Sequence, residues 1–258
     1  MAVLENKVAV VTGAAQGIGR AIALRFARQG AVVAVLDINI ERAAETVRLI
    51  EAEGFSSKAK FIHCDVARVA DVDAAVAETA QMFGGVDILV NNAAIAIYKP
   101  LWEYTDDDWD RVIAVNLRGI FLTARRCIPI MRARGAGSIV NMASVHARTT
   151  STMNSAYVAS KGAVVSLTRA MALECAAFNI RVNCILPGAI DTPMLMENWG
   201  NLLPGQHPLV PSIPLQRIAN ADEIAKVAQF LASDESSYLT GSDVLADGGL
   251  SAHFGASS

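Results

Sequence analysis

An α/β fold is predicted, built as one doubly wound parallel sheet of six or seven strands with helices on both faces. Three observations carry that prediction. Short β-branched or apolar runs alternate with longer segments at helical spacing along the whole chain. Most of those runs end on small or polar residues, as strands that open on a ligand crevice do. Hydrophobic residues make up 53% of the chain and charged residues 18%, enough apolar material to cover a sheet on both sides. With 258 residues and no composition break that reads as a linker, residues 1–258 are expected to form a single domain.

The elements follow in order. Val8–Val11 is a β-branched run that passes into Thr12-Gly13-Ala14-Ala15-Gln16-Gly17-Ile18-Gly19, and an amphipathic segment then runs to Gly30. Strand, glycine turn and helix in succession bring free backbone N–H groups and a helix dipole to a point where a pyrophosphate can bind. The second run, Ala31–Leu36, ends on Asp37, eighteen residues past Gly19. An acid there is placed for a ribose 2′-hydroxyl, and it opposes a 2′-phosphate that neither Gln16 nor Ile38 would neutralise. NAD is therefore favoured over NADP. The same aspartate could instead cap the turn before the next helix. Asn39–Glu53 is a crossover helix closed by Gly54, and Lys60–Cys64 a strand ending at Asp65-Val66. A further helix, Val69–Phe83, is stopped by Gly84-Gly85, and Val86–Val90 leads into Asn91-Asn92-Ala93-Ala94, either turn formers or crevice residues. Asp106–Arg134 reads as two helices or one bent one, with a kink near Pro129. Within its apolar stripe Asn116 is either structural glue or a site residue. Ser138–Met142 is a strand that delivers Ser144, and Arg181–Leu186 another that ends at Pro187-Gly188. From Ala189 to Gln216 the chain holds five prolines and no lysine or arginine, which suggests a lid at about 189–216 over a site. Asp222–Ala232 is the last helix and Val244–Ala246 the last strand.

Between Ser144 and Lys161 lies the chemistry. Tyr157 and Lys161, four residues apart, share one face of a helix. Bringing a phenol from a pKa near 10 to about 7 takes roughly 4 kcal/mol, and a positive charge about 4 Å away supplies about that at an effective dielectric near 20. The pair can act as a general acid/base, or it can be an ordinary surface pair.

Taken together, Thr12-Gly-x-x-x-Gly-Ile-Gly19, Asn91-Asn-Ala-Ala94, Asn116, Ser144, Tyr157-x-x-x-Lys161 and Pro187-Gly188 resemble the short-chain dehydrogenase/reductases of the single-domain type. Each motif is permissive alone; the ordered set, spread over nearly the whole chain, is specific. The resemblance implies a Rossmann-type fold with seven strands and a nicotinamide-dependent alcohol/carbonyl reaction. It implies a catalytic tetrad of Asn116, Ser144, Tyr157 and Lys161, with Asn116 holding a water in a proton path from Lys161. Carried over residue by residue, the cofactor contacts are Gly13, Gln16, Gly17, Ile18, Gly19, Asp37, Asp65, Val66, Asn92, Ala93, Tyr157, Lys161, Pro187, Gly188, Ile190 and Thr192. A homotetramer is implied as well. Ala94 departs from the family's usual glycine and would narrow the pocket beside the nicotinamide.

Substrate candidates are Ser144, His146, Asn154, Tyr157, Met194 and Trp199, which flank the reacting groups or lie in the lid. His146 could read a hydroxyl of a sugar or polyol, or be satisfied by backbone groups. Arg148 could meet an anionic substituent or lie on the surface. No metal-ligand spacing is present. A net charge of -3 without a basic block argues against nucleic acid, and no apolar run is long enough for a signal peptide or a membrane span. Four separated cysteines fit reduced thiols in a cytoplasmic enzyme. The leading expectation is thus an NAD-dependent dehydrogenase of a small hydroxylated substrate. Its alternatives are a 3-oxoacyl-type carbonyl reductase and a catalytically silent dinucleotide sensor or scaffold.

Overall fold

The computed structural model describes residues 2–55, 58–196 and 207–252. In chain order its strands are β1 (Val8–Thr12), β2 (Val32–Asp37), β3 (Ala59–His63), β4 (Ile88–Asn91), β5 (Gly137–Met142), β6 (Ile180–Pro187), the short β7 (Ile190–Asp191) and β8 (Ala219–Asn220), and β9 (Asp243–Ala246). Seven of them form one parallel sheet in the order β3-β2-β1-β4-β5-β6-β9, and β7 pairs with β8 apart from it. Strand order reverses between β1 and β4. The carboxyl ends of these two strands therefore flank the crevice in which a doubly wound sheet binds its ligand.

Helices α1 (Gly17–Arg28), α2 (Ile40–Ala52), α3 (Val69–Phe83), α4 (Asp106–Ile113), α5 (Gly119–Arg134), α6 (Ser155–Cys175), the short α7 (Pro193–Met196) and α8 (Ala221–Ala232) complete the frame. Alternation along the strands assigns the faces. Ala9, Val11, Val33 and Val35 pack with Ile22 and Phe26 of α1, Ile50 of α2 and Leu231 of α8. On the other side Val10, Ala34, Leu36 and Leu89 pack with Val76 of α3, Leu122 and Met131 of α5 and Met171 of α6. A strand period of two thus gives each helix layer its own core. α8 is fastened to α1 by the Arg25 guanidinium, which donates to both Asp222 oxygens at 2.8 and 2.7 Å. Its start is a capping box between Asn220 and Glu223.

The stretch expected as two helices or one bent one is two, α4 and α5, joined by a π-turn at Ala114–Arg118, and α5 continues as helix through Pro129. Within this stretch Val112 and Asn116 are fully buried, and Val115 packs partly buried against the core.

A buried polar chain crosses the sheet. Thr123 on α5 donates to Asn91 (2.6 Å), Asn91 to its register partner Asn141 (2.9 Å), Asn141 to Thr168 on α6 (2.9 Å), and Thr168 to the Val164 carbonyl (2.8 Å). Each link is satisfied, so the chain fixes β4, β5 and α6 to one another at little desolvation cost. Asn141→Ala would leave the Asn91 amide unpaired and is expected to lower unfolding free energy by about 2–3 kcal/mol, read from urea denaturation.

Candidate active site

The glycine turn is shaped by what its residues lack. Gly13 and Gly17 hold φ of 63° and 54°, the left-handed region that side chains disfavour. At Gly19 the constraint is space: a Cβ there would stand 2.1 Å from the Gly13 carbonyl oxygen and 2.5 Å from Asn92 Nδ2. Gln16, at the start of α1, makes no side-chain cap, which leaves the first-turn N–H groups for an anion. These features open on a cavity of about 1030 Å³, large enough for a dinucleotide beside a small substrate. The cradle fits a nicotinamide dinucleotide.

Of the expected cofactor residues, Gly13, Gln16, Gly17, Ile18, Asp37, Asp65, Val66, Asn92, Ala93, Tyr157, Lys161, Pro187, Gly188, Ile190 and Thr192 line this cavity, as does Ala94. Gly19 does not; it packs under the turn. Asp37 lines the cavity and is held within the turn. Its Oδ2 accepts from Ala15 N and its Oδ1 from Asn39 N, each at 2.9 Å, yet each oxygen retains a lone pair for a ribose hydroxyl. Beside it the sequence reading missed a cation. Arg42, in the first turn of α2, lines the same cavity and its guanidinium donates to Gln16. A basic residue one turn into the helix that follows the strand-end acid was the available signal.

At the other end β5 delivers Ser144 and α6 delivers Tyr157 and Lys161, all lining the cavity. Ser144 Oγ accepts from His146 N at 3.2 Å and is hydrogen-bonded to the Tyr157 hydroxyl. Burial pushes the Tyr157 phenol up to about 12, the Ser144 hydrogen bond opposes this, and nearby Tyr98 adds to it. Burial likewise pulls the Lys161 ammonium down to about 8. Lys161 Nζ donates to the Met142 carbonyl at 2.7 Å and lies 5.4 Å from the Tyr157 ring centroid. The anticipated tuning of the phenol to neutrality by a lysine at about 4 Å is therefore not what this arrangement gives. Burial is the largest cause of both shifts and penalises the charged form of each, although a Lys161 pKa of about 8 still leaves its ammonium charged at neutral pH.

Asn116 stands behind the cavity, fully buried. Its Oδ1 accepts from Ile95 N (2.8 Å), and its two amide hydrogens go to Ile95 O (2.9 Å) and Ser160 Oγ (3.1 Å). Ser160 in turn donates to the Tyr157 carbonyl at 2.6 Å. Both hydrogens of Asn116 are thus spent on clamping the β4 exit to α6.

Among the substrate candidates, His146, Asn154 and Met194 line the cavity with Ser144 and Tyr157. Trp199 lies outside the described residues, as do residues 197–206 of the expected lid; Thr192, Leu195, Leu209 and Ser212 of that segment border the cavity. Arg148 is on the surface, paired with Asp243. Tyr98 lines the cavity and was not anticipated, its only signal being an aromatic soon after the Asn-Asn turn. Among the described residues no acidic, cysteine and histidine side chains cluster as metal ligands, and no helix is long and apolar enough to cross a membrane.

Fold and site together define an oxidoreductase architecture for nicotinamide dinucleotides, and comparison with known proteins gives the family. A family model described as enoyl-(acyl carrier protein) reductase matches residues 13–251. Galactitol 2-dehydrogenase of Agrobacterium fabrum is 39% identical, over 95% of this chain and 98% of that protein. The crystal structure of levodione reductase superposes with a TM-score of 0.92 at 34% identity, covering 97% of this chain and all of that one. A 3-ketoacyl-(acyl-carrier-protein) reductase from Brucella melitensis, solved with NADH, has a TM-score of 0.89 at 37% identity over 96% and 99% of the two chains. The chain belongs to the short-chain dehydrogenase/reductase family, oxidoreductases with this seven-stranded Rossmann-type fold.

Two titrations follow. In protein without added nucleotide, the absorbance difference at 295 nm between wild type and Tyr157→Phe is expected to stay flat up to about pH 10 and rise only beyond it. Lys161, at about 8 in the fold against an ordinary 10.5, binds its proton less tightly when folded, so its penalty is full below 8 and fades as pH rises towards 10.5. Urea midpoints of Lys161→Met should therefore lack the part of this rise that wild type shows.

Proposed function

We propose that this protein is an NAD-dependent oxidoreductase that interconverts a secondary alcohol and a ketone or lactone, on a small hydroxylated substrate such as a sugar or polyol. One observation carries the reading: the hydrogen-bonded hydroxyls of Ser144 and Tyr157 face into the cavity opposite the glycine turn, with Lys161 one helical turn on. A dinucleotide held along the glycine turn and Asp37 would, when bound, supply the hydride donor or acceptor. Ser144 holds the substrate oxygen and stabilises charge that develops on it. Tyr157 exchanges the proton of that oxygen; its high pKa suits it to donate to a carbonyl, and oxidation calls on Lys161 as the adjacent cation. Asn116 keeps α6 in register with the β4 exit and so fixes the direction of the Tyr157 hydroxyl.

Support for NAD comes from Asp37 at the cavity wall and from the NADH bound to the Brucella relative. Arg42 favours a second reading, a 3-oxoacyl-type reductase using NADP, because its guanidinium, bonded to Gln16, lines the same cavity as Asp37 and is a cation of the kind a 2′-phosphate would need. The name of the galactitol dehydrogenase supports the polyol reading. A homotetramer fits an apolar groove on α4, α5 and α6 formed by Ile113, Leu117, Phe121, Ala163 and Leu167. A cytoplasmic setting fits four buried, free cysteines.

Fluorescence titration is expected to give a dissociation constant for NADH about tenfold or more below that for NADPH, and Asp37→Asn should narrow the gap; equal affinities would favour the second reading. Tyr157→Phe should bind NADH normally while losing about 100-fold or more in turnover. Near-normal turnover in that variant would remove Tyr157 from the reaction, and binding without turnover by wild type across a broad alcohol panel would leave a dinucleotide sensor.

A further inference from the structure

Two polar atoms at the substrate end of the cavity are fully enclosed yet make no hydrogen bond: Oδ1 of Asn154 and Nδ1 of His146. Both side chains line the cavity with Ser144 and Tyr157. Asn154 is the residue before α6, where an asparagine ordinarily accepts a hydrogen bond from the first turn of the helix. It makes no such cap, although it is only 2% exposed. His146 is placed by a turn of 3₁₀ helix, Val145–Ala147. Its backbone N–H donates to Ser144 Oγ, and its ring meets that of Tyr157 edge-on with centroids 6.0 Å apart. Burial lowers the imidazole pKa below its ordinary value, and a hydrogen bond with the Thr149 backbone opposes this.

Enclosed polar groups in folded proteins are nearly always partnered, and each exception calls for an explanation such as a catalytic role or a missing bound partner. The chemistry of this pair restricts the ligand. An amide oxygen only accepts, so the group that meets it must carry a hydrogen, which an ionised carboxylate does not. A neutral imidazole nitrogen either donates or accepts. A hydroxyl, able to do both, satisfies the two together.

We propose that Asn154 and His146 form a subsite for a second hydroxyl of the substrate, beside the carbinol held by Ser144 and Tyr157. The subsite makes the enzyme select neutral diols and polyols over mono-alcohols of the same skeleton. This rests on the reading of Ser144 and Tyr157 given above, and the test separates the two.

Values of kcat/KM are measured for 2-butanol against 2,3-butanediol and for cyclohexanol against cyclohexane-1,2-diol, together with polyols of four to six carbons, with NAD and with NADP. Wild type is expected to favour the diol of each pair by about tenfold or more, and Asn154→Leu and His146→Phe should each bring that ratio towards one. NADH fluorescence reports whether each variant is folded. A wild-type ratio near one overturns the subsite and leaves alcohol oxidation standing. A ratio that stays high in both variants also overturns it, because other groups then read the second hydroxyl. No turnover of any alcohol by wild type overturns the redox reading and the subsite with it.

Discussion

The side-chain amide of Asn92 donates to two carbonyls in succession, Thr12 at 3.1 Å and Gly13 at 3.0 Å, while the Thr12 hydroxyl accepts from the backbone of Asn92 and Ala93. This stitch joins the ends of β1 and β4 at the point where strand order reverses, and the missing side chain of Gly19 gives it room. From there the order propagates. β4 continues to Ile95, Ile95 is gripped by Asn116, Asn116 meets Ser160, and Ser160 holds the backbone of Tyr157. The glycine turn and the phenol, which line the same cavity, are thereby tied to one another through a run of side-chain hydrogen bonds. Relative placement of two halves of a site is what converts proximity into rate.

Much of this was legible from local pattern. Period-two strands, the glycine turn and the four-residue spacing of Tyr157 and Lys161 are short-range facts, and the structure places them as the spacing requires. What escaped the sequence depends on side-chain reach or on the path of the main chain through space. Arg42 is unremarked on a solvent-facing helix until its guanidinium is seen to reach back to Gln16. The π-turn at Ala114–Arg118 differs from an α-helix by one hydrogen-bond step, and no residue type announces it. Proline was the more visible suspect, yet α5 carries Pro129 without a break. Nor does spacing alone reveal that Lys161 spends its ammonium on the Met142 carbonyl.

Burial at the reacting end carries an energetic cost. Tyr157 and Lys161 are shifted in opposite directions, and both shifts favour the uncharged form. A site that disfavours isolated charge in this way rewards any ligand that brings compensating charge or hydrogen bonds with it. The surrounding polar chain from Thr123 to Thr168, in contrast, is saturated and asks nothing of a ligand.

The π-turn also has a bearing on how this chain can change. It holds one residue more than the α-helical turn it replaces, so losing a single residue between Ala114 and Arg118 would leave a continuous α-helix rather than a broken one. Such a shortening would pass any test of helix content. Because the extra residue is absorbed within the turn, α4 and α5 would keep their facing, including the 2.6 Å bond of Lys99 to Asp108; what would change is the local backbone that presents Asn116 to Ile95. The segment is therefore a place where secondary structure would survive a deletion that the site would not.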